Sequence, residues 1–338
     1  MVFGGYEFKG RIPEIVGLCY ENSNIESFYL NSNQNFIVFS LYLQPYLCTF
    51  NNTKRKHSLF LYVKPALSMK SGIKKVLYTS AFIVFFTACN NTDSPAGSNN
   101  MVSAPELPSN ISYSIVKTYP HDTSSFTQGL ILYNGDLYEG TGEYGRSHLL
   151  KVDLNNGVIK KNISIDPKYF GEGITILRDT VYQLTWQEKV VFAYSVKDFK
   201  KIKQFKIDTQ GWGITTNGQE LIVSDGSSNL YYYNTATFQL LRTQSITEAG
   251  SLSYNLNELE YIDGYIYANQ WQAPYILKID SGSGAIVGKI DLTDVWNRVK
   301  AKDPLADVPN GIAYDSASKK IYITGKKWPE LYEIELSK

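Results

Sequence analysis

Glu172 stands between two glycines, Gly171 and Gly173, and a repeat described below brings it near Trp186 and Trp212. A carboxyl group held beside aromatic faces and away from water has its charged form disfavoured, so its pKa rises. Such a group can take up and give back a proton near neutral pH. Lys326, in Thr324-Gly325-Lys326, offers a cation or a hydrogen-bond donor. Gln128, Asn257 and Asn310 are neutral amides that can donate and accept toward a polar substrate. Trp186, Trp212 and Trp271 would form an apolar cage for a small side chain or a cationic amine. The inventory fits proton transfer on a small neutral substrate, with neither a metal nor a covalent nucleophile. Each residue also has an ordinary structural use, since tryptophans fill apolar cores and a glutamate beside glycine hydrogen-bonds a turn. Their convergence is what argues for a site.

The elements that must position these residues form a repeat. Five stretches share one layout and open at Gln128, Glu172, Trp212, Asn257 and Asn310, so the spacings are 44, 40, 45 and 53 residues. Units of this length that read as alternating strands are blades of a propeller rather than helical hairpins. Ten residues after the opening residue come Tyr138, Tyr182, Ile222 and Tyr267; in the fifth unit Tyr322 comes after twelve. Four residues further stand Gly142, Trp186, Gly226, Trp271 and Lys326. A purely structural repeat would tend to place the same residue at equivalent positions. The variety in these two rings marks a site.

The rest of each unit follows the same grammar. Asn134-Gly135-Asp136 is a hairpin turn between apolar runs. Outer strands are predicted at 148–153 and 157–165, 190–196 and 199–207, 230–234 and 238–246, and 275–280 and 285–290. The fifth unit lacks a full outer strand after 331–336. The segment 112–119 can supply it and close the ring, which removes an exposed sheet edge. The fold class is therefore all-β, a five-bladed β-propeller over 111–338. One segment departs from the pattern: 293–302 has Val295, Trp296 and Val299 at helical spacing, with Thr293 or Asp294 as N-cap, and reads as a rim helix or a loop with one helical turn.

Upstream of the propeller the chain changes character. Residues 1–68 hold one methionine and no sustained period, and read as an upstream extension outside the fold. Met69-Lys70, Lys74 and Lys75 then precede an apolar run from Val76 to Ala88, followed by Cys89. A basic start, a short apolar core and small residues before a cleavage point describe an export signal over 69–89. The run is short for a membrane span. Phe86-Thr87-Ala88-Cys89 is similar to a bacterial lipobox, in which the cysteine carries lipid, although Phe86 departs from the usual aliphatic residue. Residues 90–110, rich in Asn, Ser, Pro and Ala near their start, read as a flexible tether. The expected location is a bacterial cell envelope, with the membrane reached only through Cys89.

Composition excludes several classes. A formal charge of +1 gives no reason to expect nucleic acid. The cysteines are Cys19, Cys48 and Cys89, so the propeller has no disulfide. Its histidines are His121 and His148, too few for a His-rich zinc site and few for a Ser-His-Asp triad. No cofactor is expected. A structural calcium held by loop carboxylates stays open, with no calcium-loop motif in the chain.

At these residues the chain resembles the plant and bacterial type of glutaminyl-peptide cyclotransferase, the glutamine cyclotransferases. The matching motifs include Phe126-Thr127-Gln128-Gly129-Leu130, Gly171-Glu172-Gly173-Ile174-Thr175, Gln183-Leu184-Thr185-Trp186, Gly211-Trp212-Gly213, Leu256-Asn257-Glu258-Leu259-Glu260, Ala268-Asn269-Gln270-Trp271, Asn310-Gly311-Ile312-Ala313 and Thr324-Gly325-Lys326-Lys327-Trp328-Pro329. The resemblance covers about 112–336, and departures such as Ile214 and Pro309 avoid the polar set. It implies a five-bladed propeller that converts N-terminal glutamine of peptides to pyroglutamate and releases ammonia. By resemblance Glu172 is the proton-transfer residue. Lys326 or Asn257 would polarise the γ-carbonyl, Gln128 and Asn310 would bind the substrate's polar atoms, and Phe126, Trp186, Trp212 and Trp271 would line the pocket. The partners implied are peptides or proteins that begin with glutamine, acted on by a monomer. The rival reading is a non-catalytic, lipid-anchored propeller that binds peptides or sugars on the same tryptophans and has no use for Glu172 or Lys326.

Overall fold

The computed structural model describes the backbone of residues 15–21, 25–32, 35–43, 61–65 and 106–337. The chain divides into two compact units, Met1–Ala96 and Gly97–Lys338. In the first, strands Ile15–Glu21, Ile25–Ser32, Asn35–Leu43 and Leu61–Pro65 form one antiparallel sheet in sequence order. No sustained period marks this stretch, because runs such as Phe36-Ile37-Val38-Phe39 do not alternate apolar with polar residues. The export signal at 69–89, Cys89 and most of the tether lie outside the described residues.

Among the described residues the second unit holds five blade sheets and a small two-stranded sheet, Thr247–Glu248 with Ser251–Leu252. Blade 1 comprises Thr127–Tyr133, Asp136–Thr141, His148–Val152 and Ile159–Ser164. Blade 2 comprises Gly171–Leu177, Thr180–Thr185, Val190–Ser195 and Lys201–Lys206. Blade 3 comprises Ile214–Thr216, Glu220–Ser224, Asn229–Asn234 and Leu240–Ser245. Blade 4 comprises Leu256–Ile262, Tyr265–Gln270, Tyr275–Asp280 and Ile286–Asp291. Blade 5 takes Pro309–Asp315, Lys320–Gly325 and Glu330–Leu336. The predicted second-strand positions are equivalent: Tyr138, Tyr182, Ile222, Tyr267 and Tyr322 each pair with the blade's first strand, at Ile131, Thr175, Thr215, Glu260 and Ala313. The first hairpin turns on Asn134 and Gly135, both at positive φ (51° and 79°), as a two-residue turn between twisted strands requires.

The ring closes as the sequence predicts. Tyr113–Pro120 pairs antiparallel with Glu330–Leu336 and supplies the outer strand of blade 5. His121, just beyond this strand, locks the closure. Its Nδ1 lies 2.7 Å from the Trp328 carbonyl oxygen and its Nε2 3.2 Å from the Glu139 carboxylate in blade 1. Both partners accept, so both ring nitrogens must donate, which requires the imidazolium. Burial is the largest influence and opposes that charge, but the charge and hydrogen bond of Glu139, the Trp328 carbonyl and Asp122 together outweigh it, and the net shift of the His121 pKa is upward. The segment read as a tether ends two residues early: Ser109–Asn110 adds a parallel strand to blade 4 against Gly288 and Lys289.

Blade-to-blade packing buries one apolar cluster at each junction. Between blades 2 and 3, for example, Leu184, Val191, Ile214, Leu221 and Val223 meet Tyr233 and Phe238. The helix α1, Thr293–Lys302, joins blade 4 to blade 5, and its Val295 and Val299 are buried in the junction below it. Its cap differs from the expected one. Leu292 occupies the cap position without a side-chain bond. Asp291 instead accepts from the backbone and hydroxyl of Thr293. The preceding strand ends on an acidic residue that can take over capping, so neither Thr293 nor Asp294 has to face back.

Candidate active site

All five opening residues lie at one end of the innermost strands, and in four blades they sit at an irregularity of the ladder. Register breaks fall between Thr127 and Gly129, Gly171 and Ile174, Leu256 and Leu259, and Pro309 and Ile312. Gln128, Glu172, Asn257 and Asn310 are thus carried on bulges, which re-aim a side chain that regular pleating would bury between strands. In blade 3 the pairing starts only at Ile214, so Trp212 precedes the ladder. The glycines flanking Glu172 have a steric cause. A Cβ on Gly171 would stand 2.6 Å from the Thr141 carbonyl oxygen, and one on Gly173 2.6 Å from that of Trp212. The innermost strand of blade 2 is squeezed between its neighbours, and only glycine lets Glu172 reach the axis.

The polar residues form a buried floor. Gln128, Glu172, Asn257, Asn310 and Lys326 are each at most 5% exposed. Asn310 donates from Nδ2 to the Thr127 carbonyl (3.0 Å) and to Gln128 Oε1 (3.2 Å). A carbonyl only accepts, so this fixes both amides, and Gln128 is left with its NH₂ as the free end. Among the described residues, no side chain or backbone group hydrogen-bonds the Glu172 carboxyl, the Lys326 ammonium or the Asn257 amide. Burial pushes the Glu172 pKa well up; the Lys326 charge pulls it back in part, and Glu188 adds to the rise. Burial lowers the Lys326 pKa, against the pull of Glu172 and Asp307. Each group therefore keeps the other closer to its ionised form than burial alone would allow.

The aromatic residues form a half-buried wall above this floor. Phe126 lies under the Lys326 ammonium, 4.5 Å from its ring centroid, and meets Phe170 edge-to-face at 6.2 Å. Phe170 meets Trp186 at 5.7 Å, and Trp212 meets Trp271 at 5.4 Å and 84°. The four predicted wall residues are thus all present. Phe170 was missed, although it stands two residues before Glu172 as Phe126 stands two before Gln128. Tyr144 and Glu188 complete the rim. Tyr144 packs on Phe170 and donates to Glu188 (2.9 Å), and Glu188 also accepts from the Phe170 backbone N–H.

Among the described residues no group of three or more His, Cys, Asp or Glu is placed to hold a metal ion. The site offers a buried, unpartnered carboxyl, a buried ammonium, three amides with an unpartnered end (the Gln128 NH₂, the Asn257 amide and the Asn310 oxygen) and an aromatic wall open to solvent on one side. This set can orient a small polar side chain and move a proton across it.

The model of the glutamine cyclotransferase family matches residues 84–336, and the chain belongs to that family. A curated glutaminyl-peptide cyclotransferase of Arabidopsis thaliana is 36% identical over 268 residues, covering 78% of this chain and 82% of that protein. The crystal structure of a glutaminyl cyclase from Myxococcus xanthus superimposes with a TM-score of 0.64 at 32% identity, over 68% of this chain and 98% of that one. The five-bladed propeller expected from the repeat is thereby borne out.

Proposed function

We infer that this site converts an N-terminal glutamine to pyroglutamate by proton transfer through Glu172 alone. The activity is that of a glutaminyl-peptide cyclotransferase. The substrate's α-amine attacks its own γ-amide carbon, a C–N bond forms, the C–NH₂ bond breaks, and ammonia leaves. The attacking amine must lose a proton and the leaving nitrogen must gain one. One carboxyl with a raised pKa can do both in turn, and such general acid–base catalysis contributes about 10²–10⁴-fold. The observation that carries the assignment is that Glu172 is buried, pushed well up in pKa, and without a protein hydrogen-bond partner. A structural glutamate would have satisfied its oxygens.

Lys326 and Asn257 both offer free donors where negative charge grows on the γ-oxygen. The aromatic wall holds the glutamine side chain folded toward its own amine, which adds a proximity effect. Gln128, through its free NH₂, holds a carbonyl of the substrate. No metal takes part in this scheme, and all its groups come from one chain acting as a monomer. The test is ammonia release from a glutamine-initiated dipeptide with chelator present. Turnover that persists supports the scheme; turnover that chelator abolishes and added metal restores overturns its metal-free part. Binding of such a peptide without ammonia release would favour the non-catalytic receptor instead.

The basic start at Met69-Lys70, the apolar run and Cys89 support export and a lipid anchor in a cell envelope. Replacing Cys89 by Ala should release the protein from the membrane fraction; retention there would overturn the anchor.

A further inference from the structure

We propose that Gln210 is a positioning residue that joins the aromatic wall into one surface and so sets where the substrate glutamine lies. The proposal rests on the cyclotransferase reading of the site. Two residues before each opening residue stand Phe126, Phe170, Gln210, Asn255 and Val308, a third ring of equivalent positions. In four blades the backbone carbonyl of this residue accepts a hydrogen bond from the residue that follows the second strand: from Gly142, Trp186, Trp271 and Lys326, at 2.8 to 3.1 Å. Blade 3 departs. There Gly226, at a φ of 81°, donates to Leu256 of the next blade. Gln210 is thus released from the pairing that holds its four equivalents.

Its side chain is used elsewhere. Trp186 donates from Nε1 to Gln210 Oε1 at 2.8 Å, and Trp212 donates to the same oxygen at 3.3 Å. An indole N–H only donates, so the amide orientation is forced, with oxygen toward both tryptophans. Without this oxygen the wall falls into two runs of edge-to-face pairs, Phe126–Phe170–Trp186 and Trp212–Trp271. Among the described residues no aromatic pair links Trp186 to Trp212. Trp212 has a second support, since its ring lies on Gly226, where a Cβ would come within 2.6 Å. Gln210 also lines a cavity of about 390 Å³ with Lys189, Asp208, Asp225 and Tyr231, open to solvent beside the wall. Losing the bridge would let Trp186 turn and admit water from that side. The substrate's ring-closing pose would loosen, and Glu172, better hydrated, would fall back toward the ordinary carboxylate range.

The experiment compares Gln210→Met, which keeps length and removes the acceptor, with Gln210→Glu, which keeps an acceptor oxygen. Readouts are kcat and KM for a glutamine-initiated dipeptide, the acid limb of the pH profile, tryptophan emission and thermal unfolding. A misplacement on this scale costs on the order of 10²-fold. The Met variant is expected to lose about that much kcat/KM, with raised KM, red-shifted emission and an acid limb moved down. The Glu variant should keep the wild-type emission and recover most of the loss. Unchanged kinetics and emission in the Met variant, or a Glu variant as impaired as it, would overturn the role. Should the Met variant fail to fold, the Glu variant decides by the same criterion. Emission is read without substrate, and wild-type turnover in the same assay separates failure of this role from failure of the cyclotransferase reading.

Discussion

Two groups of carboxyls lie along the same channel, and their surroundings are opposite. Glu172 stands at the open end. Glu258 and Glu260 stand further along the innermost strand of blade 4, past Asn257. All three are buried, and burial pushes all three pKa values up, that of Glu260 to about 8. This pair has backbone partners: Glu258 accepts from the N–H groups of Leu130 (3.3 Å) and Ile312 (2.9 Å), and Glu260 from that of Tyr314 (3.0 Å). Blade 4 carries Glu258 where blades 1, 2, 3 and 5 carry Gly129, Gly173, Gly213 and Gly311. That side chain crosses the axis and ties blade 4 to blades 1 and 5. Glu172 has no such partner. A raised pKa therefore does not distinguish a reactive carboxyl from a structural one here; the lack of a protein hydrogen-bond partner does.

The same isosteric change should separate the two. Glu172→Gln removes the proton carrier and orphans nothing, so kcat should fall by about 10²–10⁴-fold with no loss of thermal stability. Substantial remaining turnover would end the proton-shuttle role. Glu258→Gln leaves one backbone N–H facing an NH₂ group. It should cost about 1–3 kcal/mol in urea unfolding and change kcat far less than the Glu172 variant; an unchanged unfolding midpoint would remove the tie across the axis.

Lys326→Met takes away the charge that holds the Glu172 pKa down. The acid limb of the kcat/KM profile should move to higher pH, with a fall in kcat; a limb that stays in place would uncouple the two groups. Glu260 gives a stability effect whose sign follows from its shift. Its folded pKa, about 8, lies above the unfolded value of a glutamate, 4.5. Its contribution is thus fully present below pH 4.5 and is lost as pH rises through about 8. Glu260→Gln should flatten the decline in unfolding free energy between those values, and an unaltered slope would count against it. The smallest effect is at the rim. Glu188→Gln removes a charge that raises the Glu172 pKa, so the acid limb should move slightly to lower pH.

The two rings that sequence alone placed around an axis proved equivalent, and Glu172, Asn257, Lys326 and the four aromatic residues meet there. Phe170 and Gln210 escaped because they precede the strands, where no alternation marks a position; the third ring two residues upstream would have found both. Glu258 and Glu260 escaped for another reason. They occupy strand positions whose neighbours are supplied by other blades, at separations of 54 residues or more along the chain.

The amino-acid sequence by itself determined the number of blades, the closing strand and the identity of the polar set, because strand periodicity, turn residues and a repeat length of about 45 residues are local signals. Only the tertiary structure decided which of the buried carboxyls is free. Whether a side chain is partnered depends on backbone groups that distant blades bring to the axis, and no local pattern encodes that.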